Sequence, residues 1–344
     1  MSSELAELHP LNQPYRHSVD RYGWPWGENR PTQRRRLTIA VLAGIIASAI
    51  LAQKFARIPH AATDFDQVWI GARLLWEGRD PYLLVGPGRL FPAEYPMLYP
   101  ATSLVAALPL ALLSAHGAAL LFTFLSAALL TYGATRDTWH RVPMLCSAAM
   151  VDSALGAQWS PLLVAALFIP ALSIFATAKP QLGIAVIIGN GSKRSLQWAA
   201  TGALVFFLIS LAMIPGWPQE WLKAIATADH MKIPLLQPFG FLILALLLKV
   251  RHFDALAVFA AACLPQTLMW YGFLILLAFP KSYREACVLS LISSAGYFFV
   301  HFVAESQAHT PTTGMILWAI VICTTFIPTT ISILLSQKDQ VDIT

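Results

Sequence analysis

Charge is what this chain has least of. Asp, Glu, Lys and Arg make up 12% of its 344 residues and 57% are hydrophobic, whereas a soluble domain carries about 25% charge. That shortage excludes an ordinary soluble fold and points to an integral membrane protein, as does a mean hydropathy of +0.60. Cysteine is scarce too. Cys146, Cys263, Cys287 and Cys323 lie far apart inside apolar segments. They have no metal-ligand spacing and no disulfide-framework pattern, so they read as small core or lipid-facing residues. Residues 1–36 hold no apolar run, so no cleavable signal peptide is expected at the very start. Internal repeats are lacking, as is an inverted pair of broken helices of the transporter kind. The net charge of +5 requires no nucleic-acid partner. Its cations cluster at the breaks between apolar runs, where cytoplasmic loops belong.

What is present reads as an all-α, polytopic membrane fold. Residues 1–36, with Pro10, Pro14, Pro25 and Pro31 and the closing Arg34-Arg35-Arg36, are expected to form a polar cytoplasmic tail, disordered or lying at the surface. Tyr22, Trp24 and Trp26 would rest at the headgroup boundary. Leu37 to Gln53 is uncharged and covers roughly 26 Å as a helix, near the lower limit for crossing a bilayer. The arginines before it put the amino terminus inside and residues 54–100 outside. Further helices are expected near 101–114, 117–134, 143–157, 160–177, 181–191, 195–214, 238–250, 254–264, 267–279, 286–303 and 314–335. The membrane domain is thus 37–337, with about 12 spanning or membrane-embedded helices and a second cytoplasmic tail at 338–344. Alternation puts Lys193-Arg194, Lys249 with Arg251, Lys281 with Arg284, and Lys338 inside, as the positive-inside rule asks. Lys179, Arg136 and Arg141 fall on the outer side.

The first external loop carries the densest chemistry. Phe65, Val68, Trp69, Ala72, Leu75 and Trp76 recur at helical spacing, with Asp66, Arg73 and Glu77 opposite. Thr63 and Asp66 form a capping-box pattern that starts the helix at Asp64. Gly78 ends it, and Asp80-Pro81 turns the chain. The helix is expected along the membrane surface, with Trp69 and Trp76 at the interface. Asp64 and Asp66 have a structural reading as caps, stabilised by the helix dipole by about 0.3–1 kcal/mol. Asp64-Phe65-Asp66 is also a literal Asp-x-Asp, but no partner ligands accompany it and no metal is expected.

The run Asp64-Phe65, Gly71-Ala72-Arg73-Leu74-Leu75 and Gly78-Arg79-Asp80-Pro81-Tyr82 resembles the first outer loop of the polyprenol-phosphate-mannose-dependent mannosyltransferase family. That family belongs to the GT-C superfamily of membrane glycosyltransferases. Further pieces agree in order: Tyr95-Pro96 and Tyr99-Pro100 before Leu108-Pro109-Leu110, then Ala157-Gln158-Trp159-Ser160, Ala178-Lys179-Pro180-Gln181-Leu182-Gly183, and Leu264-Pro265-Gln266-Thr267. Two positions depart from the family pattern. Ala157 stands for its glycine, and Trp270 and Tyr271 stand where relatives often carry histidine.

The resemblance implies transfer of a sugar, mannose by default, from a polyprenyl-phosphate donor to a hydroxyl of a glycan or glycolipid acceptor, with inversion. The reaction would run on the external or periplasmic face of the plasma (inner) membrane, in contact with membrane lipids and without metal or cofactor. It makes Asp64 the base that takes the acceptor's proton, with Asp66 as understudy. Charge grows on the departing phosphate, and Lys179 is the first candidate to meet it, followed by Arg79, Arg73 and Arg89. Gln158 and Gln181 are candidate partners of sugar hydroxyls or, equally, inter-helix hydrogen bonders. Tyr82, Glu94, Tyr95, His230 and His301 complete the candidate substrate-binding set. Two other readings stay open, a transporter or flippase of a lipid-linked or small polar substrate and an inactive GT-C relative.

Overall fold

The computed structural model describes residues 31–58, 60–228, 230–306 and 311–335. The expected tails therefore lie outside the described residues, except for 31–36, and so do Tyr22, Trp24 and Trp26. The described chain is helical, with two isolated bridge pairs, Val85 with Phe91 and Lys232 with Gln266. Its α-helices in the first half are α1 (Gln33–Arg57), α2 (Asp64–Trp76), α3 (Pro81–Leu84), α4 (Ala101–Ala107), α5 (Ala115–Ala134), α6 (Ala148–Leu155) and α7 (Ser160–Ala165). The second half holds α8 (Pro180–Asn190), α9 (Lys193–Met213), α10 (Trp217–Ala226), α11 (Phe253–Cys263), α12 (Tyr283–Ser306), α13 (Pro311–Val321) and α14 (Ile327–Leu335). Tighter 3-10 segments at Pro170–Ala178, Gly240–Lys249 and Trp270–Ala278 join them.

Among the described residues, five helices are long and apolar enough to cross a membrane: Gln33–Arg57, Ala115–Ala134, Lys193–Met213, Tyr283–Phe302 and Thr312–Leu335. Shorter apolar helices stand among them. A 3-10 segment rises about 2 Å per residue instead of 1.5. Runs too short to span as α-helix therefore reach further in this form, and packing against neighbouring helices shelters their backbone from lipid.

Helices α1 and α5 define two ends of the molecule. The buried positions of α1, namely Ala40, Gly44, Ala47, Leu51 and Phe55, recur every three or four residues and make one narrow face. Gly44 lets the helices touch, since a Cβ there would lie 2.8 Å from the Phe124 carbonyl oxygen. The pair is antiparallel. At one end Phe55 stacks on His116 at 4.1 Å; at the other Arg36 donates to the Tyr132 carbonyl over 2.8 Å. The first is called the Asp64 end below, and the second the Arg36 end.

Two expected spans come out differently, and their effects cancel. Residues 101–112 do not pass to the Arg36 end. They lie along α2, because the Trp69 and Trp76 indoles donate to the carbonyls of Leu113 and Leu108 at 3.1 Å each, and Thr102 donates to Thr177 beside Lys179. Conversely, 160–177 is not one helix but a hairpin of two short segments. It reaches the Arg36 end at Phe168, whose carbonyl accepts from Arg136, and returns as the 170–178 segment. Arg136 therefore belongs to the Arg36 end, not to the side of the 54–100 loop. Arg141 does too, its guanidinium lying 5.0 Å from the Phe168 ring. The reversal also brings α6 up to the Asp64 end, where the Asp64 amide donates to the Gly156 carbonyl over 3.1 Å.

The returning 170–178 segment is held by backbone contact. A Cβ at Gly183 of α8 would sit 2.1 Å from the Ala176 carbonyl oxygen, and one at Gly202 of α9 would sit 2.0 Å from that of Ile174. Small residues are how helices approach this closely where no hydrophobic drive exists between them. This packing fixes the height of Lys179, the next residue in the chain.

Helix α2 starts at Asp64 as the capping box requires, with Asp66 accepting from the Thr63 amide over 2.7 Å. Its apolar stripe does not face lipid, however. Phe65, Val68, Ala72 and Leu75 are buried against the protein, while Trp76 stays exposed and Trp69 half-buried. The stripe packs on α4 and α5, because 101–112 folds back over it instead of leaving.

Candidate active site

Phe65 and Trp159 both pack on Phe122 of α5, at ring distances of 4.4 and 4.9 Å. Each of these aromatics has a polar neighbour in sequence, Asp64 and Gln158. One apolar anchor thus sets two polar groups side by side across 94 residues of chain. The Gln158 amide donates to the Asp64 carboxylate, and its carbonyl oxygen accepts from Lys179 Nζ over 3.3 Å. Asp64 is exposed, Gln158 is 2% exposed and Lys179 is half-buried. A reachable carboxylate is therefore backed by a buried amide that links it to an ammonium.

The ammonium has a second support. Lys179 Nζ lies 4.1 Å from the centre of the Tyr271 ring, a cation–π arrangement. The Tyr271 backbone amide donates to Asp152 Oδ2 over 2.9 Å, which ties that ring to α6. Burial pushes Lys179 down to about 8, against the opposing pull of Asp64 and Asp152. Tyr99 stands in the same field, its phenol held well above its ordinary value by burial and then by the Asp64 charge. The site joins one exposed acid, one tunable cation and two phenols at a single end of the bundle. It can accept a proton at Asp64 and offer positive charge at Lys179.

Of the expected site residues, Asp64, Gln158 and Lys179 are brought together. Asp66 is not part of this group: its carboxylate caps α2, accepting from the Thr63 amide. The three arginines also stand apart. Arg79 pairs with Glu77 at 3.2 Å on the surface, Arg73 lies 5.3 Å from the Trp69 ring, and Arg89 donates to the Tyr82 carbonyl. Tyr82 is buried and its hydroxyl donates to the Tyr99 carbonyl over 2.8 Å, so it braces the loop next to the site. The Tyr95 ring lies 4.4 Å from that of His230, tilted by 37°, and beside Glu94. His301 lies 4.2 Å from Tyr297 on α12, near enough to Asp152 to act on its charge. Gln181 is half-buried in the first turn of α8, two residues past Lys179.

Sequence reasoning passed over Asp152, Tyr99 and Tyr271 as site residues. Asp152 had a signal, since it is the lone acid of an apolar segment and such a residue is a functional candidate by default. Tyr271 stood in view only as a departure from the family pattern. The other departure also acquires a meaning: Ala157 sits at φ +48°, in the left-handed region that glycine adopts freely. The alanine keeps a glycine's backbone shape at a cost of roughly 1–2 kcal/mol. Among the described residues, no group of three or more His, Cys, Asp or Glu could hold a metal ion. No protein-family model matches this chain, and no curated protein or solved structure matches it either.

Proposed function

We propose that this chain is a membrane glycosyltransferase that moves a sugar from a polyprenyl-phosphate donor to an acceptor hydroxyl, with inversion. The observation that carries the reading is the Asp64–Gln158–Lys179 line, in which three separate segments contribute a base, a polar link and a cation. In the reaction, the acceptor oxygen forms a bond to the anomeric carbon as the bond to phosphate breaks. The hydroxyl proton passes to Asp64, which must come within about 3 Å of it. The departing phosphodiester becomes a phosphomonoester and gains charge, which Lys179 meets with a hydrogen bond and a positive field. Gln158 holds the two groups at fixed separation and is the candidate partner of a sugar hydroxyl. Mannose is the default sugar, and a glycan or glycolipid is the acceptor.

The orientation follows from the same two ends. Arg34, Arg35, Arg36, Arg136 and Arg194 gather at the Arg36 end, which the positive-inside rule assigns to the cytoplasm. The Asp64 end then faces outward from a plasma membrane, and the short segments together with the five long helices amount to about 12 passages. A transporter would need access to its charged groups from both faces, whereas Asp64, Asp152 and Lys179 all sit at one.

The test is transfer itself. Purified protein is incubated with a panel of radiolabelled polyprenyl-phosphate hexoses and an acceptor fraction from membranes. Label should move from one donor of the panel to a lipid- or glycan-linked product. Folded protein that transfers from none of them would remove the reading.

A further inference from the structure

At the Arg36 end, three arginines from three helix termini surround one cavity of about 320 Å³. Arg36 comes from the start of α1, Arg136 from just past the end of α5, and Arg194 from the first turn of α9. Among the described residues no carboxylate lines this cavity, and none of the three guanidiniums is in an ion pair. What Arg36 and Arg136 do contact is carbonyl oxygen and, for Arg36, a ring face. Arg36 donates to Tyr132 O and lies 4.1 Å from the Tyr132 ring, and Arg136 donates to Phe168 O over 3.4 Å. The Nε of Arg36 is buried without a hydrogen-bond partner among the described residues. Cations that share a pocket repel one another, and an unsatisfied buried donor adds a penalty of its own. An anion in the cavity would answer both. The amino terminus of α9 adds the positive end of a 21-residue helix dipole to the same place.

The rest of the lining is Tyr132, Gly133 and the apolar run from Phe168 through Ala171. Beside the cavity, Leu37 of α1 and Leu196 of α9 are 57% and 59% exposed on helices apolar enough to cross a membrane. A polar pocket that opens beside lipid-facing helices suits a ligand with a charged head and a greasy tail. We infer that the Arg36–Arg136–Arg194 cavity is a binding site for the phosphate headgroup of an anionic membrane lipid. This site is distinct from the Asp64 cluster and lies at the opposite end of the bundle. It does not rest on the transferase reading.

Native mass spectrometry of the purified full chain tests it. Protein is titrated with phosphatidic acid and, separately, with phosphatidylcholine carrying the same acyl chains. Wild type should load phosphatidic acid in clear preference. R136Q/R194Q removes two exposed cations and should weaken that binding about 30-fold, each cation being worth about fivefold near an anionic headgroup. R136K/R194K, which keeps the charge without the planar fork, should fall between them. K249Q/R251Q removes two cations near the Gly240–Lys249 segment instead and should stay within about twofold of wild type. An equal loss in both glutamine pairs would reduce the effect to general surface attraction and overturn the site. Displacement of the lipid by millimolar inorganic phosphate would assign the cavity to free phosphate and overturn the lipid.

Discussion

The two ends of this molecule handle charge in opposite ways. At the Asp64 end, acid and base come in company: Asp64 meets Lys179 through Gln158, and Asp152 acts on the same ammonium from α6. At the Arg36 end, cations lean on carbonyls and an aromatic face around a cavity that, among the described residues, no carboxylate lines. The first arrangement balances opposite charges against one another, two carboxylates around one ammonium, and is sensitive to small electrostatic changes, as suits proton and phosphoryl-linked chemistry. The second is left with surplus positive charge, as suits orientation in a membrane and the holding of an anion. Burial alone does not separate the two, since each is partly open. The difference lies in what each positive charge has for a neighbour.

That contrast can be broken most sharply at its one exposed acid. Asp64→Asn keeps the size and leaves the Thr63–Asp66 caps of α2 in place but cannot take a proton, so sugar transfer should fall by about 10²–10⁴ with folding unchanged. Near wild-type turnover in this variant would mean that the balanced end is structural only. The next effect is that of Lys179→Gln, which should lower turnover more than it raises the Michaelis constant for donor, because the charge it answers grows during reaction.

Lys179 also gives the site a pH signature. Its folded value of about 8 lies below the ordinary 10.5, so the folded chain binds fewer protons than the unfolded one between those limits. Stability should therefore rise with pH across that window, while activity that needs the ammonium should fall as pH passes about 8. Lys179→Arg should recover part of the Lys179→Gln loss and flatten the falling limb, because arginine stays charged there. A profile that falls identically in wild type and Lys179→Arg would take Lys179 out of the rate.

Much of this was legible in the sequence, though unevenly. Helix α2 and its start were written in the capping box and the spacing of Phe65, Val68, Ala72 and Leu75. Composition alone gave the membrane class. The chain's path was harder to read, because apolar length says that a segment is buried and not where it goes. Residues 101–112 are apolar enough to cross, yet Trp69 and Trp76 tie them to α2. The 160–177 stretch reads as one span because both arms of its hairpin are apolar and Pro170 marks the bend only weakly. Asp64 and Lys179 were legible through a resemblance between short motifs. Their meeting depended on Phe122, a residue with no chemical signal at all. Tyr271 carried no signal because a cation–π partner is an ordinary aromatic until the cation's position is known.

Two smaller effects sharpen the packing side of the comparison. Gly202→Ala forces a methyl into the Ile174 carbonyl and should destabilise the fold by about 1–3 kcal/mol. It should lower activity through the position of Lys179. Ala157→Gly should act the other way: relief of the left-handed strain, offset in part by greater unfolded-chain freedom, leaves a gain of about 0.5–1 kcal/mol with transfer intact. Thermal unfolding in detergent reads both, and destabilisation by Ala157→Gly would contradict the backbone account.

Everything said of the two ends requires that they lie on opposite faces of the membrane. With the four native cysteines replaced by alanine, single cysteines are placed at the exposed positions Leu90, in the first loop, and Asp137, beside Arg136. An impermeant thiol reagent is then applied to intact cells and to inverted vesicles. Leu90→Cys should label only in intact cells and Asp137→Cys only in inverted vesicles, whereas labelling of both from the same side would contradict the two-ended account.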